Sequence, residues 1–216
     1  MTFSGMIMDL LSGLLVSAEI FFLTLLIALP LGFPIALGRM ARNPILSGAM
    51  RIYISVVRGT PLMLQIIFVY FAPYIFFGMS LARYPRLLAA VLAFGLNYAA
   101  YFAEIYRGGM LSIDVGQREA AYSLGLDRRQ TFFRIILPQT IKRVIPAIGN
   151  EVITLVKDTS LAFTIAVTEM FTLAKQLSSA NSTMTPLIAA GVFYYLFNYI
   201  VAFAMERLER RLDYYT

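Results

Sequence analysis

Long apolar runs dominate this sequence and constrain its fold more than any other feature. A helix that crosses a bilayer needs about 20 mostly apolar residues. Five segments meet that need: about Leu11 to Leu37, Ile52 to Phe77, Leu87 to Tyr106, Ala147 to Val167, and Pro186 to Met205. Backbone groups inside hydrocarbon must bond within their own segment, which leaves helices as the natural solution for such runs. The chain has 216 residues, 59% hydrophobic and 14% charged. Soluble domains carry about 25% charged residues. The expectation is one all-α integral membrane domain over residues 1–216, with five transmembrane helices. Pro30 and Pro34 predict a kink near the end of the first span. Arg58-Gly59-Thr60-Pro61 interrupts the second. The segment from Thr168 to Thr185 is too polar to cross and reads as a short helix or a re-entrant piece. The N-terminal MTFSGMIMDLL has no basic n-region, so no cleaved signal peptide is expected.

Charge orients the bundle. Thirteen of the eighteen Lys and Arg residues lie within 39–51, 107–143 and 207–211. With the N-terminus outside, all thirteen are cytoplasmic, which favours N-out and C-in. Arg83, Arg86 and Lys175 are then external, and Arg58 and Lys157 lie at or in the membrane. The net charge of +6 is explained by this asymmetry and calls for no nucleic acid. The chain has no Cys and no His. Disulfides, thiol catalysis and the usual zinc sites are therefore excluded.

The longest polar interval, about 107–146, lies between the third and fourth spans. Asp114 with Gln117, and Asp127 with Gln130, have the spacing of capping boxes. They predict a helix from about Val115 to Leu124, stopped by Gly125 in a left-handed turn. A second helix is predicted from about Arg128 to Leu137, ended by Pro138. On the first helix Ala120, Ala121 and Leu124 make a small apolar patch flanked by Arg118 and Glu119. Such an island suits docking to a soluble partner; an ordinary cytoplasmic loop is the plainer reading.

The residues themselves go further. Glu119-Ala120-Ala121, Gly125, Ile135, Leu137 and Pro138 match the EAA loop of ABC importer permeases. Arg58-Gly59-Thr60-Pro61 with Gln65, Glu104 to Gly109, Gly149-Asn150-Glu151 and Lys157 to Leu161 resemble the polar amino acid uptake permeases. These matches span roughly residues 50 to 170. The resemblance implies that the loop is a coupling helix seated on an ATP-hydrolysing subunit, with Gly116, Arg118, Glu119, Ala120, Ala121, Leu124 and Gly125 as the contact residues. It implies a second permease copy or a related permease, ABC ATPase subunits, an extracytoplasmic amino-acid-binding protein, and an inner-membrane location among lipid. No G-x-x-x-x-G-K-[ST] phosphate loop occurs, so ATP and Mg would be bound by the partner ATPase and no cofactor by this chain.

Asn150, Glu151, Thr154, Lys157 and Asp158 share one helical face of the fourth span. A charge at bilayer depth costs about 2.5–3.5 kcal/mol on insertion scales, so this stripe faces protein or water. An internal ion pair explains it, and so does a substrate-lining face. An amino acid needs acceptors for its ammonium and donors for its carboxylate, and the stripe offers both. Asn97 and Tyr98 on the third span, Gln65 beyond the broken second span, and Thr159 complete the candidate binding set. Glu104 is expected to pair with Arg107 at i+3. The function implied is the translocating subunit of an ATP-driven importer of a polar amino acid. An ion-coupled secondary transporter or channel using the acidic stripe is the alternative, and an intramembrane enzyme is disfavoured without His or Cys.

Overall fold

The computed structural model describes residues 3–80 and 85–212. Arg83, assigned above to an external loop, lies outside the described residues. Every regular element among the described residues is helical: α1 (Phe3–Arg39), α2 (Pro44–Gly59), α3 (Leu62–Phe77), α4 (Arg86–Leu111), α5 (Val115–Ser123), α6 (Arg128–Thr131), α7 (Leu137–Asp158), α8 (Met170–Asn181) and α9 (Thr185–Leu212). Three of them, α1, α4 and α9, are long and apolar enough to cross a membrane; a fourth crossing results if α2 and α3 form one broken span. The expected crossing in the fourth segment is not among these. That segment holds α7, whose charged stripe lowers its hydropathy.

Helix α4 lies at the centre. Phe94 and Phe102 are fully buried on it, and Ala89, Ala90, Ala93, Ala99, Ala100 and Ala103 leave little bulk between it and its neighbours. Short side chains let helix backbones approach closely, which is how helices associate where lipid removes the hydrophobic drive. Helix α1 packs along α4 and continues through Pro30 and Pro34 as one element. Tyr106 on α4 donates its hydroxyl to the Leu29 carbonyl at 3.2 Å, tying the two.

The break in the second segment is as expected. Helices α2 and α3 meet at 112° across Thr60-Pro61. Two other expectations are corrected. Asp114 caps only the Gly116 N–H of α5, and the Gln117 half of the capping box does not form; the complete box belongs to Asp127 and Gln130. Pro138 does not end a helix. Residues 132–136 form a π-turn that joins α6 to α7, and Pro138 stands in the first turn of α7. A first-turn proline gives up an N–H that has no intrahelical partner anyway. The widened turn before it accommodates the ring.

Helix α8 realises the short helix expected in the polar 168–185 segment. Its N-cap, Glu169, is fully buried. The carboxylate accepts from the Phe171 and Thr172 N–H groups at 2.7 Å each, from the Thr172 hydroxyl at 2.8 Å and from Tyr194 of α9 at 2.9 Å. Ser17 of α1 donates to it at 3.4 Å. Burial nevertheless pushes this carboxyl above the usual carboxylate range, outweighing the hydrogen bonds that favour its charge. One side chain thus pins α8 to α1 and α9. A lone Glu in a polar stretch gave no sequence signal for that role.

Candidate functional site

Two features stand at different places on the bundle. The first is a polar cavity of about 130 Å³ lined by Thr60, Leu62, Asn97, Tyr98, Tyr101, Glu151, Thr154 and Asp158. The helix break supplies Thr60 and Leu62, α4 supplies the Asn97–Tyr101 turn, and α7 supplies the rest. Along α7 the spacing of three and then four residues keeps Glu151, Thr154 and Asp158 on one face. Tyr98 donates to Asp158 Oδ2 at 2.8 Å. Arg58, at the end of α2, stands 4.9 Å from the centre of the Tyr101 ring, on the π face that attracts a cation.

The sequence-derived residues divide. Asn97, Tyr98, Glu151 and Asp158 meet in the cavity. Asn150 and Lys157 are exposed to its side. They occupy the edge of the helical stripe, so five polar residues on one broad face become three that converge. Thr159 is fully buried and donates to the Val156 carbonyl at 2.8 Å, closing the end of α7. Gln65 lies behind Asn97 rather than in the wall. Thr60 and Tyr101 join the wall although neither was in the candidate binding set. Thr60 had a signal, since a residue at a broken helix end exposes its backbone to whatever cavity the break opens. Glu104 and Arg107 form the expected pair at 2.7 Å, outside the cavity.

The second feature is α5. Gly125 adopts φ +78° and ends the helix, with Leu126 N–H reaching the Ala121 carbonyl at 3.0 Å. A residue with a Cβ is strained at that φ. Ala121 is buried, whereas Gly116, Glu119 and Ala120 are exposed and Arg118 is half-buried. Leu124 is 82% exposed and Val115 66%. Helix α5 is anchored at its base: Arg143 of α7 donates to the Ser112 carbonyl just before it. An anchored helix with bare apolar side chains beside a carboxylate has the makings of a contact surface for another protein.

The binding-protein-dependent transport system inner membrane component family matches residues 28–214. The L-cystine transport system permease of Bacillus subtilis (strain 168) is 38% identical over 182 residues, covering 83% of this chain and 76% of the relative. The glutamine transport system permease of Escherichia coli (strain K12) is 37% identical over 190 residues, covering 87% and 84%. Among solved structures, an amino acid ABC transporter crystallised with histidines superposes with a TM-score of 0.88 at 32% identity, covering 98% of this chain and 99% of that one. A methionine ABC transporter in an inward-facing state shares the fold, with a TM-score of 0.76 at 19% identity.

Proposed function

The chain belongs to the family of binding-protein-dependent transport system inner membrane components, and from that membership we propose how its two features work together. It is the membrane-spanning subunit of an amino acid ABC importer of the inner membrane, and ATP hydrolysis belongs to a separate subunit. In our reading it crosses five times, N-out and C-in, with the broken α2–α3 pair as one crossing and α7 as another. Residues 107–146 then lie in the cytoplasm, and α5 is the coupling helix. Two permeases, this chain twice or with a related one, pair within the lipid bilayer, each over an ATPase subunit, and an external binding protein delivers the substrate.

The carrying observation is α5. It is capped at both ends and anchored through Ser112, yet Leu124 and Val115 stay largely exposed among the described residues. Movement of the ATPase dimer would be passed from Glu119, Ala120 and Leu124 through the Arg143–Ser112 contact to α7. Helix α7 carries Glu151 and Asp158, so the same rod that feels the ATPase also lines the cavity. Rigid-body rotation of these rods would open the cavity alternately to each side. The cavity would hold the polar end of an amino acid, its carboxylates receiving the ammonium.

The test is uptake by vesicles containing the intact transporter. ATP-dependent uptake of L-glutamine, L-cystine or L-arginine is expected. Glu119→Lys should reduce ATP-driven uptake at least tenfold while leaving the permease in the membrane. Uptake that follows an ion gradient without ATP, or a Glu119→Lys variant with full uptake and full ATPase association, would refute the reading.

A further inference from the structure

We propose that the groove between the cytoplasmic end of α1 and the start of α2 binds an anionic phospholipid, with an acyl chain along its apolar walls and the phosphate against Arg42 and Arg51; this rests on the reading that places residues 39–51 in the cytoplasm. The groove encloses about 400 Å³. Leu31, Pro34, Ile35 and Leu37 of α1 form one wall, and Leu46 and Met50 of α2 form the other. The walls meet at Gly38, where a Cβ would stand 3.0 Å from Met50 Cγ. The elbow between the helices is fixed by its own hydrogen bonds. Asn43 accepts from the Ile45 and Leu46 N–H groups at 2.9 and 3.3 Å, and the Ser47 hydroxyl donates to the Arg39 carbonyl at 2.9 Å. The shape of the groove is thus set by the chain itself.

The charged side chains at its rim have one sign. Arg39 follows Gly38, Arg42 precedes the Asn43 cap that holds the Leu46 N–H, and Arg51 follows Met50. The sequence has no Asp or Glu between Glu19 and Glu104. Arg39 is half-buried and lies in the field of Glu104. Arg42 and Arg51 are exposed and make no ion pair among the described residues. Orienting a bundle needs cytoplasmic cations but no groove beside them. Here the apolar walls run from the arginines into the hydrocarbon, since Leu31 stands about 12 Å along α1 from Arg39. An amphiphile with an anion at one end has the same order of parts. Basic pockets between membrane helices on the cytoplasmic side suit phospholipid head groups. A protein segment fits less well, because about 400 Å³ holds barely one turn of a helix about 10–12 Å wide. A soluble phosphate would leave the apolar walls unused.

The measurement is native mass spectrometry of the intact transporter, ATPase subunits included, released from nanodiscs of phosphatidylcholine and phosphatidylglycerol in equal parts. The wild type should retain phosphatidylglycerol in preference to phosphatidylcholine. An arginine beside an anionic membrane surface is worth about fivefold, so Arg42→Gln/Arg51→Gln should retain phosphatidylglycerol roughly thirtyfold less. Arg207→Gln/Arg211→Gln, on the exposed end of α9, should leave retention unchanged. Equal loss in the two double variants would mean diffuse attraction to a basic surface and overturn the proposal, as would full retention in Arg42→Gln/Arg51→Gln. Leu46→Glu should also lose the lipid and keep two permeases per complex. Unchanged retention there, or a complex that falls to one permease because the groove is a permease–permease face, would reject the proposal; should Arg42→Gln/Arg51→Gln fail to assemble, this variant decides. Glycerol phosphate carries the same anion without chains and should not displace the lipid; displacement would make a soluble phosphate the ligand and reject the lipid. Orientation is read separately. The chain has no Cys, so Ala49→Cys gives a single thiol, which a membrane-impermeant maleimide should reach only from the cytoplasmic side. Labelling from outside with selective retention intact would remove the orientation reading and leave the lipid site standing. Labelling from the cytoplasm without selective retention would reject the site alone.

Discussion

Replacing Gly109 by Ala tests the link between the bundle and the coupling helix, because the two adjacent glycines 108 and 109 should respond with opposite signs. A Cβ on Gly109 would sit 2.2 Å from Val144 Cγ1 and 3.3 Å from Thr140 Cγ2. Carbon atoms rest comfortably at about 3.5–4.0 Å. Both neighbours are β-branched and buried, so neither can swing aside about χ1. Overpacking of this kind costs about 1–3 kcal/mol, and the deep overlap points to the upper half of that range. The helical advantage of Ala over Gly returns about 1 kcal/mol. Gly109→Ala should therefore destabilise by about 1–2 kcal/mol. A Cβ on Gly108 meets nothing within 4 Å, so Gly108→Ala should stabilise by about 0.5–1 kcal/mol. Equilibrium unfolding in mixed micelles, followed by helical circular dichroism, reads both. Val144→Ala removes the offending methyl, so the Gly109→Ala/Val144→Ala pair should show a favourable coupling of about 1–2 kcal/mol. Separation of α4 from α7 would also disturb the Arg143–Ser112 anchor, and substrate-stimulated ATPase activity should fall in Gly109→Ala and recover in the double variant. A Gly109→Ala protein as stable as Gly108→Ala, or a cycle with no coupling, would refute this account of the α4–α7 crossing.

Three further outcomes are expected. Gly125→Pro should sever uptake from ATP hydrolysis while the bundle still inserts, since a proline ring cannot adopt the φ of +78° found there; retained ATP-driven uptake would contradict it. Glu169→Gln should leave donors at the head of α8 unmet, costing about 1–3 kcal/mol in the unfolding assay. Because burial raises the Glu169 pKa, the folded state binds its proton more tightly than the unfolded chain. Wild-type stability should thus fall as pH rises from the ordinary carboxylate range through the raised value, and this slope should be absent in Glu169→Gln. Glu151→Gln removes a carboxylate from the cavity wall without touching α5; substrate KM should rise at least fivefold with ATPase association unchanged, and unaltered uptake kinetics would make the residue structural.

Much of the molecule was legible in the chain alone. Long apolar runs compel helices because hydrocarbon offers the backbone no other partner. The turn at Gly125, the cap at Asp127, the break at Thr60-Pro61 and the Glu104–Arg107 pair depend on neighbours within five residues, so local chemistry determines them. The outcome at Pro138 depended on more. The same ring that can end a helix can also begin one, and the π-turn at 132–136 that makes it a beginning is held by packing against α5 and α1.

The cavity was decided by the tertiary structure. Periodicity put Asn150, Glu151, Thr154, Lys157 and Asp158 on one broad face, but the angle at which α4 and the α2–α3 break meet α7 selects three of them. Gln65 was recognisable as a polar residue near a break. Only the packing of α3 against α4 reveals which way its amide is turned, because that depends on carbonyls and an asparagine 32 positions away. Glu169 left no pattern at all, since its partners Ser17 and Tyr194 are distant in sequence and adjacent only after folding. Spacing along a helix determines which residues can share a face; the crossing of helices determines which of them meet.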